Sequence, residues 1–133
     1  MNFLPTDEQR LAVEGFNRFL DTKLDPIVRR YQPDKLIEKE RMLEIFQMML
    51  PYGMGGNGLI SEAHGGMGMP WLTYAMMYDN LARVSGDVAI SLLIQQLGGY
   101  SLEVCSNDAM RQKYLPRMAR GEIIACSGIS EPG

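Results

Sequence analysis

Residues 88–97 read VAISLLIQQL, and this segment is apolar on nearly every side of a helix until Gln95. A helix that is apolar all round is either buried in a larger assembly or lines a cavity. From periodicity alone, a plain core helix is favoured over a wall that offers a smooth surface to a long apolar ligand. The segment starts after Asp87, and Gly98-Gly99 is expected to interrupt it. It predicts a helical domain in which this helix is buried or faces a cavity.

Helices are also predicted on both sides of this segment. Thr6 and Gln9 form a capping-box pattern at the start of the first helix, and Asp25-Pro26 either kinks that helix or starts a new one. The remaining helices are predicted over about 34–50, 71–85 and 108–114, the last capped by Asn107 and closed by Pro116 and, later, Gly121. The apolar positions at helical spacing are Leu11, Phe16, Phe19 and Leu20; Leu36, Leu43, Phe46 and Leu50; and Leu72, Ala75, Met76 and Leu81.

Residues 51–70 form a loop by composition, because seven glycines fall in this stretch. Gly53-x-Gly55-x-x-Gly58 matches the dinucleotide-binding pattern, but that site needs a strand before it and a helix after it. Here a helix precedes the glycines and more loop follows, so a flexible glycine loop is the preferred interpretation. His64 has only Glu62 as a near acidic partner and is interpreted as structural or solvent-exposed.

The composition is that of a globular domain, with 46% hydrophobic and 22% charged residues in a chain of 133. A formal net charge of -3 gives no basic surplus for nucleic acid or an anionic membrane. Cys105 and Cys126 form no disulfide framework, and with His64 as the single histidine no metal site is expected. No run approaches about 18 apolar residues, so no membrane span is expected. Residues 1–11 resemble neither a secretory signal nor a transit peptide.

The character of the sequence changes after Gly121. Residues 122–130, EIIACSGIS, are short, apolar and partly β-branched, and a turn is expected at Glu131-Pro132-Gly133. One strand has no pairing partner in an otherwise helical chain, so the sequence is expected to be cut from a longer protein. The predicted fold class is all-α, a bundle of about five to six helices over residues 1–121 with one short β-strand in residues 122–133.

Four motifs follow one another in the second half of the chain. They are Ser61-Glu62-Ala63-His64-Gly65-Gly66-Met67-Gly68, then Asp79-Asn80-Leu81-Ala82-Arg83, then QKYLPRMARGE at 112–122, and finally Ile129-Ser130-Glu131-Pro132-Gly133. In this order they resemble the acyl-CoA dehydrogenase family of flavoproteins, whose patterns are P-E-x-x-G-G-x-G, E-E-L-A-R, Q-K-Y-L-P-x-L-A-x-G-E and T/S-E-P-G. Ser61 stands where the family has Pro, and residues 1–50 fit the family's opening helices only loosely.

The resemblance implies a domain organisation and two sets of site residues. Residues 1–121 would be the helical N-terminal domain, and residues 122–133 the first strand of a middle β-barrel, which a C-terminal four-helix bundle follows in the family. The implied cofactor is FAD, with the Ile129 backbone and the Ser130 hydroxyl at the flavin ring. The residues implied along the flavin are Ser127, Gly128, Ile129 and Ser130. The residues implied beside the acyl chain, on one wall of the fatty-acyl tunnel, are Ala89, Ile90, Leu93 and Ile94.

The implied reaction is α,β-dehydrogenation of an acyl-CoA thioester, in which a carboxylate removes the α-proton and the β-hydride passes to N5 of FAD. In the family that base lies in the C-terminal part, so no catalytic residue is assigned in this sequence. The implied partners are the acyl-CoA substrate, an electron acceptor such as an electron-transfer flavoprotein, and further copies of the chain in a homotetramer. The implied compartment is the cytoplasm, or the mitochondrial matrix for a mature eukaryotic chain.

Two other functions stay open from the sequence. One is a non-catalytic helical module that binds acyl chains or another protein without flavin. The other is a family member that runs as an acyl-CoA reductase, oxidase or monooxygenase, because such relatives share this domain and differ elsewhere.

Overall fold

Six α-helices and their connecting loops make up the part of the chain that the computed structural model describes, residues 4–31, 35–126 and 128. The helices are α1 (Asp7–Phe19), α2 (Asp25–Val28), α3 (Lys39–Met49), α4 (Trp71–Val84), α5 (Gly86–Cys105) and α6 (Asp108–Ala119). A π-helical turn, Leu20–Leu24, joins α1 to α2, and short 3₁₀ turns lie at Leu50–Tyr52 and Glu62–His64. These residues contain no strand, which confirms the predicted all-α class.

α1 begins where the capping box predicts. The Thr6 hydroxyl accepts a hydrogen bond from the Gln9 backbone N–H at 3.2 Å, and the Gln9 side chain accepts one from the Thr6 N–H at 2.9 Å. These two bonds satisfy N–H groups that a helix start otherwise leaves without partners. After the π-helical turn, Pro26 stands in the first turn of α2, where its missing N–H costs no hydrogen bond. Asp25-Pro26 therefore starts a new α-helical segment.

The main core lies where α1, α3, α4 and α5 meet. Phe16 of α1, Phe46 of α3, Leu81 of α4 and Leu92 of α5 are each at most 1% exposed. A second, smaller cluster joins α6 to the loop before α4 and consists of Ile60, Leu115, Met118 and Ala119. Because α5 packs against both α4 and α6, it connects the two clusters.

α5 is longer than the sequence predicts, because Gly98-Gly99 does not end it and the helix continues to Cys105. A glycine inside a helix costs only about 1 kcal/mol relative to alanine, and tertiary packing can offset that cost. A Cβ on Gly98 would lie 2.5 Å from the Ala125 Cβ, and one on Gly99 would lie 3.2 Å from the Met118 Cε. The two glycines therefore allow other parts of the chain to pack closely against α5.

Two other predicted boundaries are also wrong. α3 begins at Lys39 and residues 35–38 are not helical, so Leu36 is 90% exposed and does not join an apolar stripe. α6 continues through Pro116 to Ala119. Proline lacks an N–H but keeps its carbonyl, which accepts a hydrogen bond from the Arg120 N–H at 3.2 Å and so supports the last turn.

The buried face of α4 matches the predicted one only in part. Leu81 is buried as predicted, and Tyr74 and Met77 are buried with it, whereas Ala75 is exposed and Leu72 and Met76 are only partly buried. Both stripes of the helix are apolar, so helical spacing alone does not choose between them. Contacts with other helices decide which stripe is buried. These are α1, which is distant in sequence, and α5, which follows α4 directly.

The predicted C-terminal strand is not formed in residues 122–126 or at Gly128. A strand needs a neighbouring strand to satisfy its backbone, and none occurs in the part of the chain that is described. The remaining positions of the predicted strand and turn, 127 and 129–133, lie outside the described residues.

Candidate functional site

α5 has one face in the core and one face open to solvent. Val88, Ala89 and Leu92 are buried in the main core. An exposed apolar stripe on the other side consists of Ile90, Leu93, Leu97, Tyr100 and Val104. The apolar character of the helix therefore serves a core and an open surface at once. By length and composition α5 could cross a membrane, alone among helices in the described ranges, but a core helix meets the same test.

An apolar groove of about 200 Å³, here named the α5 groove, lies between α5, the start of α4 and the loop before α4. Trp71 and Tyr100 line it with their rings edge to face, the centroids 6.0 Å apart. The other lining residues are Leu59, Tyr74, Leu93, Gln96 and Leu97. None of these described side chains is charged, and the volume equals that of about seven waters in the liquid. The groove therefore fits a short apolar chain.

The four residues expected beside an acyl chain do not share one environment. Leu93 lines the α5 groove. Ile90 stands one turn earlier on the exposed stripe, and Ile94 is partly buried. Ala89 is 3% exposed and packs in the main core, away from the groove. The structure thus brings Leu93 to the groove and places Ile90 on the same side of the helix.

Of the seven residues that line the α5 groove, the sequence predicted only Leu93 as an acyl-chain neighbour. The six others are Leu59, Trp71, Tyr74, Gln96, Leu97 and Tyr100. The Tyr74 hydroxyl and both polar atoms of the Gln96 amide are buried without a hydrogen-bond partner among the described residues. Burial raises the pKa of Tyr74, and the nearby Tyr78 raises it further. An unmade hydrogen bond of a buried group costs about 1–3 kcal/mol. Among these groove residues, Gln96 carries a signal in the sequence, because it is a glutamine inside an otherwise apolar helix.

A larger depression of about 720 Å³ lies between α1, the π-helical turn and the end of α3. Arg18 and Lys23 flank Phe19 and Tyr52 there. This depression is more open than the α5 groove, and none of the predicted site residues lines it. The α5 groove is the better candidate because it is more enclosed and its surface is almost entirely apolar.

One of the four residues expected along the flavin can be placed. Gly128 is exposed, and a Cβ built on it would meet no atom within 4 Å. Ser127, Ile129 and Ser130 lie outside the described residues. This open space leaves room for a flat ring system against the backbone of Gly128, and the flavin contact itself stays a prediction.

Ser61, His64 and Glu103 tie the glycine-rich loop to the last turn of α5. His64 Nδ1 lies 3.2 Å from a Glu103 oxygen and 3.1 Å from the Ser61 hydroxyl, while the Ser61 N–H donates to Glu103 at 3.3 Å. In a catalytic triad the acid and the hydroxyl bind different ring nitrogens, so that one nitrogen takes the hydroxyl proton while the acid holds the N–H of the other. Here both contact Nδ1, and the cluster therefore holds the loop in place.

Glu103→Gln is expected to destabilise the domain by about 1 kcal/mol at neutral pH. Burial opposes the charged form of Glu103, but hydrogen bonds from Ser61 and His64 outweigh burial and hold its pKa below the ordinary value of 4.5. A depressed carboxyl pKa stabilises the fold above the unfolded pKa, and this stabilisation is lost as pH falls through the lower folded pKa. Urea unfolding at neutral pH and at a series of acid pH values should show the gap between wild type and variant closing.

The control for this prediction is Glu62→Gln. Glu62 is exposed in the same loop, and its side chain makes none of these hydrogen bonds. Its stability difference from wild type should be within about 0.5 kcal/mol. A Glu103→Gln gap that stays constant across the acid range would show that the carboxylate does not carry the effect.

Known proteins match this chain over nearly its whole length. The sequence profile of the family described as acyl-CoA dehydrogenase, N-terminal domain, matches residues 6–122. A glutaryl-CoA dehydrogenase from Desulfococcus multivorans is 26% identical, over 99% of this chain and 34% of its own length. A short-chain-specific acyl-CoA dehydrogenase from Clostridium acetobutylicum is 30% identical over the same shares, 99% and 34%. A mitochondrial isovaleryl-CoA dehydrogenase from Pongo abelii is 28% identical, over 96% of this chain and 30% of its own.

The chain spans about a third of the length of these relatives. The matched residues 6–122 contain all six helices and the loop that borders the α5 groove. The names of the relatives agree with the resemblance carried by the four motifs of the second half of the chain. This chain therefore belongs to the acyl-CoA dehydrogenase family, of which it matches the N-terminal domain.

Proposed function

We propose that this domain forms one wall of the acyl-binding site of an FAD-dependent acyl-CoA dehydrogenase. The reaction would introduce a double bond between Cα and Cβ of an acyl-CoA thioester. The observation that carries the proposal is the α5 groove, an uncharged apolar surface in a chain whose relatives are named as dehydrogenases of acyl-CoA compounds. Large contiguous exposed apolar patches mark protein interfaces and ligand-binding grooves.

The chain's own residues would bind the acyl group and exclude water from it. Leu93 and Leu97 offer aliphatic surface, Trp71 an aromatic wall, and Ile90 extends the surface along α5. Each methylene buried there gains about 0.8 kcal/mol. The chemistry that FAD supplies when bound is acceptance of the hydride that leaves Cβ. We assign the base that removes the α-proton to no residue of this chain.

The flavin side of the proposal rests on the family resemblance and on Gly128. Residues 127–130 would lie along the ring, and the open backbone at Gly128 supports a flat ligand there. The electrons would pass to an acceptor such as an electron-transfer flavoprotein, and the whole protein would be a homotetramer of the cytoplasm or the mitochondrial matrix. A reductase, oxidase or monooxygenase of the family would use the same groove.

A non-catalytic acyl-binding module is the second candidate. The residues expected along the flavin, 127–130, are here named the flavin segment. The observation that favours the module is that the α5 groove is lined by residues from other parts of the chain. On this alternative the chain binds acyl groups alone, and flavin plays no part.

Equilibrium dialysis of the 133-residue chain against FAD and against a fatty acyl-CoA separates these candidates. The dehydrogenase proposal expects weak flavin binding by this chain, since most of the flavin pocket would lie in other domains. In the longest natural polypeptide that contains this domain, it expects bound flavin whose visible absorbance bleaches when a saturated acyl-CoA is added without oxygen. Acyl-CoA binding with no flavin in that protein would favour the module, and micromolar flavin binding by the 133-residue chain would contradict our placement of the pocket.

A further inference from the structure

We propose that Gln95 is a positioning residue, which sets the register of residues 123–125 and thereby places the flavin segment that follows. Gln95 lies on α5 and is 0% exposed. Its Nε2 donates a hydrogen bond to the Ile123 carbonyl at 3.2 Å, and its Oε1 accepts one from the Ala125 N–H. Buried amides are nearly always hydrogen-bonded, but both groups of this one bind the backbone of a single short segment.

The two bonds of Gln95 reproduce the pairing of a parallel β-ladder. In such a ladder, a residue of one strand donates its N–H to the carbonyl of a residue on the neighbouring strand. Its own carbonyl accepts a hydrogen bond from the N–H of the residue two positions further along that neighbouring strand. The side-chain amide of Gln95 does this to Ile123 and Ala125, so it stands where an adjacent strand would stand. The segment thus gains the hydrogen bonds of a strand edge without a sheet.

The side chains of the segment alternate as they do in a strand. Ile123 and Ala125 pack against the small cluster of α6, whereas Ile124 packs against the main core. Successive side chains of extended backbone point to opposite sides, so a slip by one residue would exchange these two environments. Gln95 fixes which residues bond and therefore prevents that slip.

Two glycines leave the room that this arrangement needs. A Cβ on Gly56 would lie 2.7 Å from the Gln95 Cγ, and a Cβ on Gly98 would lie 2.5 Å from the Ala125 Cβ. Gly56 also has a φ of +102°, which side chains rarely adopt. The two hydrogen bonds from Gln95 to residues 123–125 are here named the clamp. The loop beside the clamp and the helix beside it both have a glycine at the point of closest approach.

This role rests on the proposed function, because it assumes that residues 127–130 contact the flavin. Ser127 follows Ala125 by two residues, which reach at most about 7 Å. The neighbouring Gln96 lines the α5 groove on another side of the same helical turn. The same turn of α5 would thus contact the α5 groove through Gln96 and, through Gln95, the residues that lead into the flavin segment.

Gln95→Met in the 133-residue chain tests the clamp without any flavin. Methionine has similar length and volume but cannot make the two hydrogen bonds. Amide hydrogen exchange followed by NMR should show a protected Ala125 N–H in the wild type and about tenfold faster exchange in the variant. Gln96→Met is the matched control, since that amide is as buried but has no partner among the described residues, and it should leave Ala125 protected. An unprotected Ala125 in the wild type would overturn the clamp.

Gly98→Ala is a second variant, in case Gln95→Met does not fold. It leaves the Gln95 amide unchanged but pushes against the Ala125 Cβ, so it should also speed the exchange of the Ala125 N–H. Unchanged exchange in a folded Gly98→Ala variant would contradict the packing on which the clamp depends.

The positioning role is tested in the longest natural polypeptide that contains this domain. Gln95→Met should weaken FAD binding and lower kcat, each about tenfold, with KM for the acyl-CoA changed less than about twofold, because the α5 groove is not touched. Loss of Ala125 protection with unchanged flavin affinity and kcat would overturn the positioning role. A wild-type protein that holds no flavin would instead overturn the proposed function, while the Ala125 result would stand.

Discussion

Gly66→Ala is expected to destabilise the domain by about 3 kcal/mol or more, which is a large part of the stability of a chain of this size. A Cβ on Gly66 would lie 2.0 Å from the Ile60 carbonyl oxygen and 2.5 Å from its carbon. Real Cβ atoms do not approach backbone so closely, so the backbone itself has to move. Urea unfolding followed by circular dichroism should show the loss as a lower midpoint with an unchanged slope.

The loop around Gly66 has little freedom to make room for a methyl group. The Gly66 N–H bonds to the Ser61 carbonyl at 3.0 Å, and the Gly68 N–H bonds to the Ile60 carbonyl at 2.9 Å. Ile60 is 1% exposed and anchors the small cluster with α6. A shift of this backbone would break these two hydrogen bonds and would also displace the Ile60 side chain from the core. Since Leu59 lines the α5 groove, the same shift would also disturb the candidate site.

Gly15→Ala is the matched control for this substitution. Gly15 lies inside α1, and a Cβ built on it would meet no atom within 4 Å. Alanine there should stabilise the domain by about 0.5–1 kcal/mol, because it restricts the unfolded chain and favours the helix. The steric explanation of Gly66 would be wrong if the two substitutions changed stability by the same amount and in the same direction.

The parts of the fold that could be predicted from the sequence are those decided by neighbours along the chain. The capping box of Thr6 and the cap at Asn107 depend on hydrogen bonds between residues three positions apart, and both are observed. The ends of α5 and α6 could not be predicted from Gly98-Gly99 and Pro116. The outcome there depends on what packs against the helix, as Ala125 and Met118 do against α5.

The candidate site also contains residues that could be predicted from the sequence and residues that could not. The apolar run that contains Leu93 marked the right helix, since a helix that is apolar all round needs an apolar surface on its outer side. Trp71 and Tyr74 could not be predicted, because they reach the groove only through the packing of α4 beside α5. In the sequence, Gln95 marks only the end of the apolar run. Its use becomes clear only when the backbone 28 and 30 residues later is seen beside it.

Leu93→Glu is expected to weaken binding of a saturated acyl-CoA about 30-fold in the protein that carries this domain. An acyl chain in the α5 groove would have to strip water from a carboxylate that has no cation among the groove residues. The chain would then leave the groove and lose the burial of two to three methylenes, about 2 kcal/mol, which is roughly a 30-fold change in affinity. Titration of that protein with a saturated acyl-CoA without oxygen, read from the bleaching of the visible absorbance of its bound flavin, measures the effect.

Val104→Glu distinguishes the groove from the rest of the helix. Val104 is as exposed and apolar as Leu93 and lies on the same stripe of α5, but it does not line the groove. Both variants add one charge to an exposed position, so each should keep the free energy of unfolding within about 0.5 kcal/mol of the wild type. If the groove holds the acyl chain, only Leu93→Glu weakens binding. If both variants weaken it equally, the ligand covers the whole stripe of α5, and the proposed position of the acyl chain in the groove is wrong.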